Sequence, residues 1–237
     1  MNPFPIPAVV LLLLAGCAGP SMTTRWGPEY QTSGVRLTLA VLPREAGAAA
    51  SDVAFRMRAE GVPRGTKLIV WHRSRGGTPV RVQGVYMSDD GTLRSPATGA
   101  ETDLHAEGLA RGEAYDLGAA DADFTVRAFV KAVPFPAQVR DGTRRLEAEL
   151  ASVHGDSWVV RGEGFAPGEQ LDAVLVAGDD VHLDHITVGH SGTFNRLLLP
   201  ATVFGRPSGR SVYRISSKAA KLELELPWGN DALKPVP

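Results

Sequence analysis

Trp158-Val159-Val160-Arg161-Gly162-Glu163-Gly164-Phe165-Ala166-Pro167-Gly168 repeats the pattern of Phe55-Arg56-Met57-Arg58-Ala59-Glu60-Gly61-Val62-Pro63-Arg64-Gly65 once a single residue is inserted. Each stretch opens with alternating side chains, as in a strand whose successive residues point to opposite faces of a sheet. Each then runs into closely spaced glycine and proline, the punctuation of a tight turn, and an apolar strand follows. Further on, Ser88-Asp89-Asp90-Gly91-Thr92-Leu93 corresponds to Gly189-His190-Ser191-Gly192-Thr193-Phe194, with Gly91 lying 26 residues after Gly65 and Gly192 lying 24 after Gly168. The chain reads as a tandem duplication of one β-fold.

Period-two patterning extends over both halves. Val35, Leu37, Leu39 and Val41 alternate with more polar residues, as do Leu68 and Val70, Val80 and Val82, and Val126, Ala128 and Val130. The second series is Leu146 to Leu150, Trp158 and Val160, Leu171 to Leu175, Val181 and Leu183, Val212 to Ser216, and Leu222 to Leu226. The phase slips near Gly84, which predicts a β-bulge there. No window sustains a helical period. The reading is all-β: two tandem sandwiches, 33–133 and 144–227, joined by a linker over 134–143 where Pro134-Phe135-Pro136 leads into polar residues, with a tail at 228–237.

A formal net charge of -1 gives no electrostatic footprint for nucleic acid. The single cysteine excludes an internal disulfide, so its position matters. Ala8 to Ala15 form an apolar run too short to span a bilayer and suited to the core of a signal peptide. Leu14-Ala15-Gly16-Cys17 follows directly and resembles the lipobox of bacterial lipoproteins. That resemblance implies cleavage of residues 1–16 and a diacylglyceryl group on Cys17. It also implies a lipidated tether over 17–32 and membrane contact through the acyl chains. Met1 to Pro7 departs from the usual pattern in having no Lys or Arg. Ala18, where inner-membrane retention signals place Asp, favours the outer membrane in a host with two membranes.

Gly162-Glu163-Gly164-Phe165-Ala166-Pro167-Gly168-Glu169, with the later Ser191-Gly192-Thr193-Phe194, resembles bacterial immunoglobulin-like modules over about residues 145 to 226. This implies a β-sandwich and says nothing of a ligand. The first copy departs from it, with Val62 where the second has Phe165.

Three groups of residues bear on chemistry. His182, Asp184, His185 and His190 are types that zinc or copper selects, although strand alternation separates His182 from His185 unless a bulge intervenes. A polar, solvated strand edge accounts for them more simply. In the first half, Arg56, Arg58, Arg73, Arg75 and Arg81, with Trp71, form a candidate surface for an anionic envelope polymer. The simpler account pairs these arginines with the acids between Asp89 and Asp123. Gly189-His190-Ser191-Gly192-Thr193 misses the nucleophile elbow, which needs a strand leading into a helix. The expectation is a lipid-anchored, non-catalytic binding or scaffold module of the cell envelope, with no cofactor. Its partner would be an envelope polysaccharide or another envelope protein. A metal-dependent hydrolase built on the His182 group is the alternative.

Overall fold

The structure, a computed structural model, describes residue 22 and residues 25–74, 77–200, 207–218 and 220–237. Cys17, Arg75 and the segment read as a signal peptide lie outside the described residues. The first eight strands are Arg36–Val41 (β1), Val53–Glu60 (β2), Lys67–Ser74 (β3), Val80–Met87 (β4), Leu93–Arg94 (β5), Asp103–Ala106 (β6), Tyr115–Ala120 (β7) and Arg127–Ala132 (β8). The second eight are Ala137–Asp141 (β9), Arg144–Leu150 (β10), Trp158–Glu163 (β11), Gln170–Ala177 (β12), Asp180–Thr187 (β13), Phe194–Leu198 (β14), Ser208–Ser216 (β15) and Lys221–Gly229 (β16).

Among the described residues, four antiparallel sheets form two sandwiches. In the first, β1-β2-β6 packs on β5-β4-β3-β7-β8; in the second, β14-β11-β10-β9 packs on β13-β12-β15-β16. The topology repeats strand for strand: β10, β11 and β14 correspond to β1, β2 and β6, and β13-β12-β15-β16 corresponds to β4-β3-β7-β8. The accessory strands differ, β5 in one copy and β9 in the other. This is an immunoglobulin-like arrangement in both halves, so the first copy keeps the fold despite Val62.

The core of each sandwich is built around a fully buried aromatic on its second strand. Phe55 sits between Val41 and Leu104 on the neighbouring strands and stacks on Tyr115 at 5.2 Å. Trp158 sits between Leu150 and Leu198, and its indole N–H donates to the Pro227 carbonyl at 2.9 Å. That bond ties the two sheets together while satisfying the ring's polar atom.

The turns repeat as well. Gly65 N–H donates to Met87 O and Gly168 N–H to Val188 O, while Ser88 and Gly189 each close a turn on the carbonyl of Thr92 or Thr193. Gly61 and Gly164 have φ of +72° and +79°, and a Cβ on either would fall within 1.9 to 2.0 Å of the carbonyl oxygen of Gly34 or Thr143. No inserted residue is needed: Gly61 and Gly65 lie the same 103 residues before Gly164 and Gly168. The length difference falls in the β3–β4 hairpin, where Val70 faces Gln83 and Trp71 faces Arg81. Val82 is the bulged residue, two positions before the expected Gly84.

Three stretches read as connectors are structured. Within the supposed linker, Ala137–Asp141 pair with β10 and Ala137 is buried. Within the supposed tether, Met22 is buried over Gly118, the Trp26 and Phe129 rings meet edge to face at 5.3 Å, and Thr32 N–H donates to Arg127 O. The tail begins inside β16, and Val236 N–H donates to Leu109 O at 3.0 Å. Composition flagged these stretches because they are rich in Pro, Gly and polar residues, yet the first two supply backbone bonds that the edge strands β10 and β8 leave open, and the tail bonds to the loop after β6.

The two cores share no buried residue. They are joined through residues 109 to 114, a loop after β6 that is buried apart from Arg111. Gly112 accepts from Leu150 N–H at 2.8 Å and donates to Phe135 O at 2.7 Å. At φ +77°, a Cβ on Gly112 would lie 2.4 Å from the Trp158 ring.

Gly164→Ala should cost about 2–4 kcal/mol, because it adds a backbone clash to a left-handed conformation, and Gly61→Ala should behave alike. Gly168→Ala, left-handed at φ +77° but open to solvent, should cost about 1–2 kcal/mol. Chemical denaturation of the three variants checks the order.

Candidate functional site

The candidate arginines are divided between opposite sheets. Arg56 and Arg58 project from the outer face of β1-β2-β6, whereas Trp71, Arg73 and Arg81 stand on the outer face of the five-stranded sheet. Sequence alone assigns β2 and β3 one basic stripe, but the chain crosses from sheet to sheet between them. Arg56 is held in a fork by Asp103 at 2.9 and 3.1 Å and also meets Glu101 at 3.0 Å. These acids raise the Arg56 pKa, the Asp103 hydrogen bond most of all. Arg73 pairs with Asp116 at 3.2 Å and lies over the Trp26 ring at 5.2 Å. Arg58 and Arg81 are exposed. The intramolecular pairing of basic and acidic strands is thus realised at Arg56 and Arg73.

Trp71 is half-buried, cross-strand from Gly118 and Arg81, and its indole N–H has no hydrogen-bond partner among the described residues. The more open aromatic hollow on this face is formed by Trp26, Phe129, Arg73, Asp116 and Lys131, with a volume of about 380 Å³. Asp116 is buried there with one carboxylate oxygen unpartnered among the described residues. Apolar ring faces beside a carboxylate can seat a sugar ring, by stacking and by accepting from hydroxyls. Neither Asp116 nor the docking of Trp26 had a signal in the sequence, because both depend on the N-terminal segment folding back.

The histidine group lies on β13, which pairs with β12 in unbroken register from Asp180 to Thr187. The bulge that would turn His185 inward is not formed. His182 and Asp184 therefore share the inward face with buried Ile186, while Val181, Leu183 and His185 face out. His185 Nδ1 lies 2.8 Å from Asp172, Asp184 accepts from Arg196 at 3.1 Å, and His190 is exposed in the following turn. Among the described residues, no three His, Cys, Asp or Glu side chains are grouped to hold a metal ion.

His182, Asp184 and Arg196 line a slot of about 290 Å³ between the edges of the two sheets, with Leu175, Leu197 and Leu199 as apolar walls. Tyr213 closes its inner end, 2% exposed, its hydroxyl pushed up to about 12 by burial and without a hydrogen-bond partner among the described residues. The sequence pattern located His182 and Asp184 but not Arg196 or Tyr213, which come from the next two strands, β14 and β15.

No family model and no curated protein matches the chain. Solved structures are. One is a tetra-tandem repeat in the extending region of a large adhesion protein, at 14% identity and a TM-score of 0.26, covering 84% of this chain and 49% of that one. The chicken interferon gamma receptor alpha chain follows at 11% and 0.25, covering 81% and 96%. A structure of a 1.5-MDa bacterial ice-binding adhesin stands at 10% and 0.23, covering 83% and 64%. The chain spans about half the length of the adhesion-protein repeat. Among the described residues, no helix is long and apolar enough to cross a membrane.

Replacing His182, His185 and His190 together by Gln should move the melting temperature by no more than about 2 °C, since all three are exposed. Differential scanning calorimetry with and without added zinc checks this; a large zinc-dependent shift in the unsubstituted protein alone would establish a structural metal.

Proposed function

We propose that the chain is a lipid-anchored, non-catalytic binding or scaffold module of a bacterial cell envelope, sorted to the outer membrane where the host has two. The carrying observation is a spacing. Leu14-Ala15-Gly16-Cys17 has the sequence of a lipobox, and five residues later the Met22 side chain is buried over Gly118. Five residues span at most about 18 Å. Acyl chains on Cys17 would therefore hold the first sandwich beside the bilayer, with the outer face of β7 and the Trp26 hollow nearest to it.

One acyl chain gives marginal binding and two or more hold firmly, which suits a protein retained at a surface. Two sandwiches, 33–133 and 144–227 in outline, would project in series from that anchor. The Trp26 hollow is the surface whose chemistry fits an envelope polysaccharide. The alternative of a metal-dependent hydrolase is not favoured by the His182 group, whose members point to both faces of one strand.

Cys17→Ser should shift the protein from the membrane to the soluble fraction or leave it as an unprocessed precursor, read by fractionation and intact mass. Partitioning and mass unchanged apart from the substitution would refute the anchor.

A further inference from the structure

The second sandwich is closed on one side, where β9 lies along β16, and open on the other, between β13 and β14. Among the described residues, strand β13 is an edge paired only with β12. Natural edges are blunted by Lys, Pro, bulges or covering segments. Asp180–Thr187 contains no Lys or Pro, its ladder is unbroken, and it exposes Val181 by 57% and Leu183 by 75%. Its inward-pointing carboxylates, Asp180 and Asp184, are the protective devices on the strand, Asp184 already meeting Arg196 at 3.1 Å. They favour a partner that sets no further negative charge against them.

We propose that β13 pairs antiparallel with β13 of a second copy of this chain, about a two-fold axis at Leu183, making one eight-stranded sheet across a homodimer. Opposed residues in a sheet share a face, so a two-fold axis perpendicular to the sheet allows register shifts only in steps that preserve the alternation. With Leu183 opposite itself, His182 faces Asp184 of the other copy twice over, and Val181 lies opposite His185. The adjacent allowed register one way sets Asp184 opposite Asp184. The other sets Asp180 opposite Asp184 and His182 opposite His182. Like charges directly opposite are destabilising. The register centred on Val181 also sets Asp180 opposite His182 but pairs only three residues of the strand, so among registers that pair five residues or more the one centred on Leu183 alone opposes unlike charges. Leu197 and Leu199, exposed by 61% and 64%, line the slot beside His182 and Asp184 and add apolar surface next to the axis. The contact is isologous, so it closes as a dimer and does not propagate.

The test uses the full chain in detergent, with Cys17→Ser so that an introduced thiol is the only one. Leu183→Cys should form a disulfide-linked dimer under mild oxidation, because opposed residues across the axis bring their Cα atoms within disulfide reach. Thr187→Cys, far from the axis, should not. Without a thiol, sedimentation should show a dimer that His182→Asp weakens at least tenfold and that His182→Asp with Asp184→His restores. A monomer at 100 µM would overturn the proposal, as would cross-linking that is no stronger at 183 than at 187. So would a monomer whose β13 amides are protected from exchange by an added extended peptide, an outcome that assigns the edge to a foreign strand.

Discussion

The indole of Trp158 is held to two duties. It fills the centre of the second sandwich, bonded across to Pro227, and its outer edge is the surface on which Gly112 of the first sandwich rests. A side chain at 112 has no room there, and any lateral shift of the ring would break the Pro227 bond and open the core. Around that contact the neighbouring segments converge: Phe135 and Leu150 bond to Gly112, and Val236 of the C-terminal tail reaches back to Leu109. Lys131 and Glu149 add an ion pair across the same joint at 2.6 Å. The two cores are separate in their apolar contents and are joined by backbone.

The same economy governs the other half. β7 is buried along its whole length, although in a two-layer sandwich its outer face would meet solvent. Met22, Trp26 and the backbone of Thr32 cover that face, so the N-terminal segment acts as a third layer over Gly118 and Asp116. The placement of the Trp26 hollow, and the distance from there to Cys17, follow from this covering.

Much of this was legible in the sequence. Alternation at Leu146-Glu147-Ala148-Glu149-Leu150 and the paired Gly-rich corners gave strands, faces and duplication, since these are local consequences of the pleat and of left-handed glycines. Val181 and Leu183 show where local reading stops. Their alternation is real but points outward, because Ile186 fixes the register of β13 in the core and the strand carries no bulge. The arginine stripe failed for a similar reason: Arg56 and Arg73 lie close in sequence, but the crossover from β2 to β3 puts them on opposite outer faces. Pro134-Phe135-Pro136 announced a break without revealing that Ala137 begins a strand, and no pattern foretold that Gly112 would seat on Trp158, a contact between residues in different sandwiches.

Amide hydrogen exchange at Leu150 and Gly112, measured by NMR in the full chain, tests the joint most directly. If the sandwiches are locked through this contact, both amides will be protected to the same degree as those of the β10–β11 ladder. Free exchange at Leu150 and Gly112 beside a protected ladder would show two sandwiches that move independently, and would contradict the account.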